Sequence, residues 1–258
     1  DKYPELEKSA NEISDAINRI LSVRTEAVTL DNKITKTVAQ ALFQREDRSL
    51  GGLVGAPKFP QEPLLLFMMD RARRARDINA MGFVCRALDA MACGGIYDQV
   101  AGGFHRYSVD EQWLVPHFEK MLYNQGSLAE SYLEAGRISS DDSLLQIGRA
   151  TLDAMLSQFQ LQDGSFAGSW DADSGGVEGS YYVWTPEQVK ETVAPESVEL
   201  VCDHFGIEEE GNFEGGEASV PRIAMSLETA AKKHGLSVEE AQKRLDQAVS
   251  KMLKVRDT

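Results

Sequence analysis

Between Gly94 and Tyr123 the chain reads GGIYDQVAGGFHRYSVDEQWLVPHFEKMLY, a stretch that holds two of its four histidines. The glycines Gly94, Gly95, Gly102 and Gly103 permit backbone conformations closed to other residues and let a ligand approach the main chain. Around them stand Asp98, His105, Arg106, Tyr107, Asp110, Glu111, Trp113, His117, Glu119 and Tyr123. That is more hydrogen-bonding and titratable chemistry than a connection between helices needs. The alternative is a long surface loop with solvated charges.

Pro116 followed by His117 predicts the first turn of a helix, where the positive end of the backbone dipole disfavours an added proton on the imidazole. A neutral imidazole there suits proton abstraction from a substrate, whereas a structural histidine would only hydrogen-bond the preceding loop. Glu119, two residues on, points away from His117 on a regular helix and reads first as a capping charge. His105 beside Arg106 and Tyr107 makes a trio suited to sugar hydroxyls or a carboxylate.

A second glycine-rich segment, Asp163 to Thr185, contains WDADSGGVEGSYYVW. Numbered from Asp171, a calcium loop would have its glycine at Gly176 but Tyr182 where a bidentate Glu is required, so an EF-hand is not expected. Asp171 and Asp173 instead suit hydroxyl binding, or the paired carboxylates that flank a glycosidic bond. Trp170, Tyr182 and Trp184 offer flat faces for a sugar ring, the competing role being core packing.

Composition narrows the classes of function. With 42% hydrophobic and 26% charged residues over 258 positions, the chain has ample material for a core. A formal net charge of -14 argues against nucleic-acid and anionic-membrane partners. The basic run Arg71, Arg73, Arg74, Arg76 reads as a solvated helix face. Cys85, Cys93 and Cys202 form no CxxC pair and are expected as reduced core residues, without the clustering zinc needs. No apolar run reaches membrane-spanning length and no secretory signal is evident, so a cytoplasmic location is expected.

The elements that must position these residues are mostly helical. Leu6, Ala10, Ile13, Ile17 and Ile20 recur at helical spacing, as do Ile34, Val38, Ala41 and Leu42. Helices are predicted from about Glu62, with Pro63 in the first turn, and from Ile78 to Cys93. A fifth is predicted from Pro116 to Gly136, and a sixth over roughly Asp141 to Gln162 with Leu144, Leu145, Leu152, Met155, Leu156 and Phe159 as its buried stripe. Tyr181 to Trp184 reads as a short strand of a small hairpin. Thr185, Pro186 and Gln188 supply a capping box with a first-turn proline, and Ser237 with Glu240 repeats the box before the last helix. Glycine-containing loops recurring about one helical hairpin apart suggest stacked helix pairs, with a four-helix bundle as the alternative.

The segments GAPKFP, the Gly94 to Tyr123 stretch and WDADSGGVEGSYYVW together resemble the spermatogenesis-associated protein 20 family, whose bacterial members are called thioredoxin-domain-containing proteins. The resemblance implies a thioredoxin-like domain followed by an (α/α)6 toroid similar to N-acylglucosamine 2-epimerases and other six-hairpin carbohydrate-active enzymes. Residues 1–24 would then be the terminal helix of the preceding domain or a linker, and residues 25–258 the N-terminal part of an incomplete toroid with a small β-hairpin. Redox activity does not carry over, because the CxxC thiols are absent.

The function expected on these grounds is a sugar isomerase or epimerase, with His105, His117 and Glu119 as catalytic candidates. Asp98, Arg106, Tyr107, Trp113, Tyr123, Trp170, Asp171, Asp173 and Lys58 would bind substrate, with no metal and no cofactor. A six-hairpin glycosidase using Asp171 or Asp173, and a non-catalytic sugar-sensing domain, are the rivals. His105, His117, Asp98 and Asp171 are expected to converge on one concave face near Trp170. An arc of about four hairpins leaves apolar helix faces open, so the missing thioredoxin-like domain, the remaining toroid or a second copy is expected to cover them.

Overall fold

The computed structural model describes residues 3–22, 31–213 and 216–256. The chain divides into two units, residues 1–38 and 39–258. The expected domain boundary at 24/25 lies outside the described residues. In the first unit, α1 (Tyr3–Leu21) forms as its 3.6-residue periodicity predicts, yet it buries nothing: Leu6, Ile13, Ile17 and Ile20 are exposed.

The second unit is mainly α. Ala39, Leu42 and Phe43, from the later part of α2 (Asn32–Gln44), pack on a core built from α3 (Glu62–Ala75) and α4 (Ile78–Cys93). The run Leu64 to Met69 is buried or half-buried throughout, as a continuous apolar segment should be. The α3–α4 connection turns on Arg76 in the left-handed region, and Asp77 caps α4 by accepting the amide of Ala80. The next hairpin is α5 (Leu122–Ser139) with α6 (Asp142–Ala154), and Leu128 and Tyr132 of α5 join the first core.

A second core joins α7 (Pro186–Thr192), α8 (Val198–Phe205), α9 (Leu227–Lys233) and α10 (Val238–Arg256) through Val189, Leu200, Phe205, Ala230, Leu245 and Met252. The capping box of Thr185 and Gln188 forms in full. Ser237 accepts the amide of Glu240 at 3.1 Å. No helix among the described residues is long and apolar enough to cross a membrane.

Among the described residues, three two-stranded antiparallel pairs lie between the helices: β1 (Tyr107–Ser108) with β2 (Pro116–His117), β3 (Lys120–Met121) with β4 (Ser169–Trp170), and β5 (Asp173–Ser174) with β6 (Val177–Glu178). They correct the expected start of the fifth helix. The fifth helix starts at Leu122, not Pro116, because residues 116–121 are extended. Tyr107 pairs with His117, and the Arg106 amide donates to Glu119. A proline that opens a helix is equally suited to an edge strand, since either place spares its missing N–H.

The sixth helix gives way at Met155 to a π-helical turn, Met155–Phe159, and of the expected stripe Leu152, still on regular helix, and Leu156, in the turn, are exposed. Of the strand expected at Tyr181 to Trp184, Tyr181 and Tyr182 form a turn, and Trp184 alone makes an antiparallel bridge, to Ser219. The hairpin lies just upstream, and the amides of Tyr182 and Val183 both donate to the Gly179 carbonyl. Cys93 is exposed rather than core, whereas Cys85 and Cys202 are half-buried.

Candidate functional site

The segment 116–121 organises the site. Its burial alternates, Pro116, Phe118 and Lys120 inward and His117 and Glu119 outward, which is the period of two of an extended chain. Consecutive residues of one segment therefore serve two different environments.

The inward face meets a buried polar cluster. Asp98 accepts the amides of Val100 and Ala101 at 3.0 and 3.1 Å, which folds the Gly102–Gly103 turn around it. Gly103 has a φ of 79°, and a Cβ there would come 2.9 Å from the side-chain oxygen of Gln125. That oxygen instead accepts the Phe104 amide at 2.7 Å.

Two cations meet Asp98. Lys120 Nζ donates to it at 2.8 Å, and Arg256 at the end of α10 forks onto both of its oxygens at 3.0 and 2.7 Å. Burial works against the charge on Asp98, but Arg256 and Lys120 outweigh it and hold the carboxyl well below its usual range. Lys120 is pushed down from the ordinary lysine value by burial, with Asp98 opposing.

His105 is enclosed beside this cluster at 1% exposure. Its Nδ1 donates to the Phe118 carbonyl at 2.9 Å, and its ring lies edge-on to Tyr182 at 4.6 Å. Burial, reinforced by Lys120, lowers its pKa to about 3, so the imidazole is neutral.

The outward face carries a second, half-exposed group. His117 Nδ1 lies 2.7 Å from Glu178 on β6, and its Nε2 is 3.8 Å from Glu119. Arg106 donates to Glu119 at 2.9 Å, and its guanidinium is held further toward the charged state by that bond and by one to Tyr123. The His117 ring stacks on Tyr107 at 5.2 Å, and Tyr107 stacks on Phe59 at 4.7 Å. Two expectations are corrected here. His117 is not at a helix N-terminus, so the dipole argument lapses. Glu119 does not point away from it, because residues two apart share a face on a strand.

A cleft of ≈ 680 Å³ opens beside the inner cluster, lined among others by Gln158, Trp170, Asp171, Asp173, Tyr181 and Arg256. The π-helical turn sets its edge. Gln158 accepts from Lys120 through its side chain at 3.0 Å, and its backbone carbonyl accepts from Trp170 Nε1 at 2.7 Å. The indole thus has its polar edge satisfied while the residue stays 49% exposed, which leaves ring surface for a ligand.

Gly179, with a φ of 76°, lets the chain pass against the Phe118 ring, where a Cβ would collide, and so turns Tyr181 and Tyr182 to the cleft. Asp173 on the lip is the cross-strand partner of Glu178. One strand pair therefore separates the cleft from His117.

Asp98 and His105 come together as the buried back of this region, and Trp170, Asp171 and Asp173 form its lip. His117 stands on the other face of the 116–121 segment, so the expected single face with both histidines is not formed. Trp113 and Lys58 also leave the list of ligand contacts. Trp113 is 1% exposed, with its Nε1 donating to the Leu50 carbonyl. Lys58 is buried over that ring, bound to Asp47 at 3.0 Å and to the Glu111 carbonyl at 2.8 Å. Asp98 has no lone pair to spare for a hydroxyl, since amides and two cations occupy both oxygens. Trp184 is core at 4% exposure, and Tyr182 is nearly so at 8%.

Sequence reasoning missed Lys120, Gln158, Glu178, Tyr181 and Arg256. The alternation of Pro116, Phe118 and Lys120 with polar neighbours was the available signal for Lys120. Arg256 meets a partner 158 positions away, and nothing local marks it.

No family model matches the chain. It is 33% identical to spermatogenesis-associated protein 20 of Mus musculus over 95% of this chain and 35% of that protein. The Homo sapiens protein of the same name is 32% identical over 95% of this chain and 36% of its own length. The chain thus spans about a third of the length of the curated relatives it matches. A solved structure of a sugar epimerase from a ruminal bacterium superposes with a TM-score of 0.46 at 13% identity, covering 83% of this chain and 53% of that one.

Proposed function

Proceeding from a chain that is a relative of the spermatogenesis-associated protein 20 family along about a third of that protein's length, we propose that it forms the substrate-binding part of a carbohydrate-active enzyme. In this reading its helical hairpins are an arc of an (α/α) toroid, and the reaction isomerises a sugar by proton transfer beside a carbonyl. The observation that carries it is the carboxylate-backed imidazole, His117 Nδ1 at 2.7 Å from Glu178, one strand pair from a cleft lip with Trp170, Asp171 and Asp173.

Glu178 accepts from Nδ1 and fixes the ring, which frees Nε2 to move a proton. Nε2 takes the proton from the hydroxyl-bearing carbon next to the carbonyl, the C–H electron pair forms the C=C of an enediol, and the carbonyl oxygen takes a proton from water. Return of the proton from Nε2 to the former carbonyl carbon on the same side, with the neighbouring hydroxyl giving its proton to the hydroxide left behind, completes an aldose–ketose isomerisation. A single imidazole on one face suits this better than epimerisation, which needs a donor on the opposite face. His105, enclosed and neutral, supports the wall rather than the chemistry. A sugar lying across the β5–β6 pair would bring its carbonyl end to Nε2 of His117, while Trp170 would stack on the ring and Asp171 and Asp173 would accept hydrogen bonds from its hydroxyls. A glycosidase would need one carboxyl kept protonated by an apolar setting, and both of these stand exposed.

The test is NMR of monosaccharides with the intact protein in deuterated water. Deuterium should enter at the carbon beside the carbonyl as aldose and ketose interconvert, and His117→Ala should slow this by about 10²-fold or more. Unchanged exchange in His117→Ala removes that residue from the mechanism. Cleaved linkages in oligosaccharides would point to hydrolysis, and line broadening without conversion to a binding domain.

A further inference from the structure

The inner wall of the cleft bears on what kind of sugar enters it. Lys120, Arg256 and Asp98 have side chains only 1%, 3% and 3% exposed, so two cations share one carboxylate away from water. Lys120 spends its three protons on Asp98, the Gly102 carbonyl and Gln158. His105, neutral, adds no charge. Arg256 forks onto Asp98, hydrogen-bonds Tyr181 and lies 4.5 Å from the centre of that ring. Its Nε is nevertheless buried without a hydrogen-bond partner, and the residue forms part of the cleft wall. Among the described residues the cluster therefore holds one uncompensated positive charge. Across the cleft, Asp171 and Asp173 are exposed and screened by water and salt.

Resting on the reading of the cleft as a sugar site, we propose that it selects a sugar bearing an anionic group, a carboxylate or a phosphate. The ligand's charge would lie toward Arg256 and its hydroxyls toward the lip carboxylates. A charge fixed in a low-dielectric wall acts on a bound ligand more strongly than solvated charges at a rim, so the single inner cation decides the preference over the two outer carboxylates. Arg256 is in this sense a specificity-determining residue.

Isothermal titration of the intact protein with glucose and galactose, their uronic acids, their 6-phosphates and glucosamine tests this. A uronic acid or a 6-phosphate should bind about tenfold tighter than its neutral parent, and which of the two does so identifies the anionic group. Arg256→Gln, checked for folding by circular dichroism, should lose the preference, and Arg256→Lys should keep it. The wild-type comparison stands even if Arg256→Gln does not fold. Equal binding of neutral and anionic sugars, or tighter binding of glucosamine, overturns the proposal while leaving the sugar site in place. Failure of every sugar to bind overturns both.

Discussion

The two faces of residues 116–121 carry much the same residue types and do opposite things with them. Inside, His105, Asp98, Lys120 and Arg256 lie nearly dry, with fixed partners and one neutral imidazole. Outside, His117, Glu119, Glu178 and Arg106 form a comparable set of one imidazole, two carboxylates and a guanidinium, but they remain partly wet. Burial costs charged groups several kcal/mol each unless they pair well, so the inner set is committed to its pairings. The outer set pays little to form or break a contact, which is what proton transfer to a ligand requires. The difference teaches that in this loop the side of the strand, rather than the kind of residue, separates architecture from chemistry.

The sharpest way to break that comparison is to remove the inner carboxylate. Asp98→Ala leaves Lys120 and Arg256 buried without an anion and frees the amides of Val100 and Ala101. Urea denaturation should show a loss of about 3–5 kcal/mol, as expected when one partner of a buried ion cluster is deleted. A loss under about 1 kcal/mol would mean that the cluster is wet in solution and that the two faces do not differ as described.

Much of the frame was legible before the fold was known, because helices announce themselves locally. Ile78 to Cys93 came out with both ends as expected, and Thr185, Pro186 and Gln188 formed the box their spacing predicts. The Gly94 to Tyr123 stretch stood out because glycines and titratable groups are visible as composition. The direction each group faces was not. Pro116 fits a helix start and an edge strand equally well, and choosing the helix sent Glu119 away from His117 and left Lys120 unremarked. The pairing of Asp98 with Arg256 depends on α10 returning to the loop, which no local pattern encodes. Nor does the local periodicity mark the π-helical turn at Met155–Phe159, which places Gln158 between Lys120 and Trp170.

A smaller effect sharpens the contrast between the two histidines through pH. Burial disfavours the charge on His105 and pushes its pKa down from the ordinary histidine value of 6.5 to about 3. The unfolded chain therefore binds this proton first as pH falls, and the stability His105 contributes is present above 6.5 and lost on the way down toward about 3. One such proton gives a slope of about 1.4 kcal/mol per pH unit at most. Unfolding free energies from pH about 7 to about 4.5 should fall more steeply in the wild type than in His105→Gln, by up to that slope, while His204, also lowered by burial, keeps a share of the fall in both. A slope unchanged by His105→Gln would show that the imidazole is not enclosed.

The smallest expected effect on stability lies on the outer face, and it is paired with a large one on activity. Glu178 is partly exposed, with a side chain 44% accessible, and its contact with His117 is of the kind that adds little to folding. Glu178→Gln should therefore shift stability by no more than about 0.5 kcal/mol. The amide keeps a hydrogen-bonding atom near Nδ1 but loses the negative charge that steadies the imidazolium formed when Nε2 takes up a proton. Sugar exchange in deuterated water should accordingly slow about 10-fold or more, with substrate affinity little changed, since the residue sits behind the imidazole and not in the cleft. If Glu178→Gln destabilised the protein as much as Asp98→Ala, the outer group would be architecture as well. If it left both stability and exchange untouched, His117 would be no more than a stacked surface residue, and the proton-transfer site would have to be sought at Asp171 and Asp173.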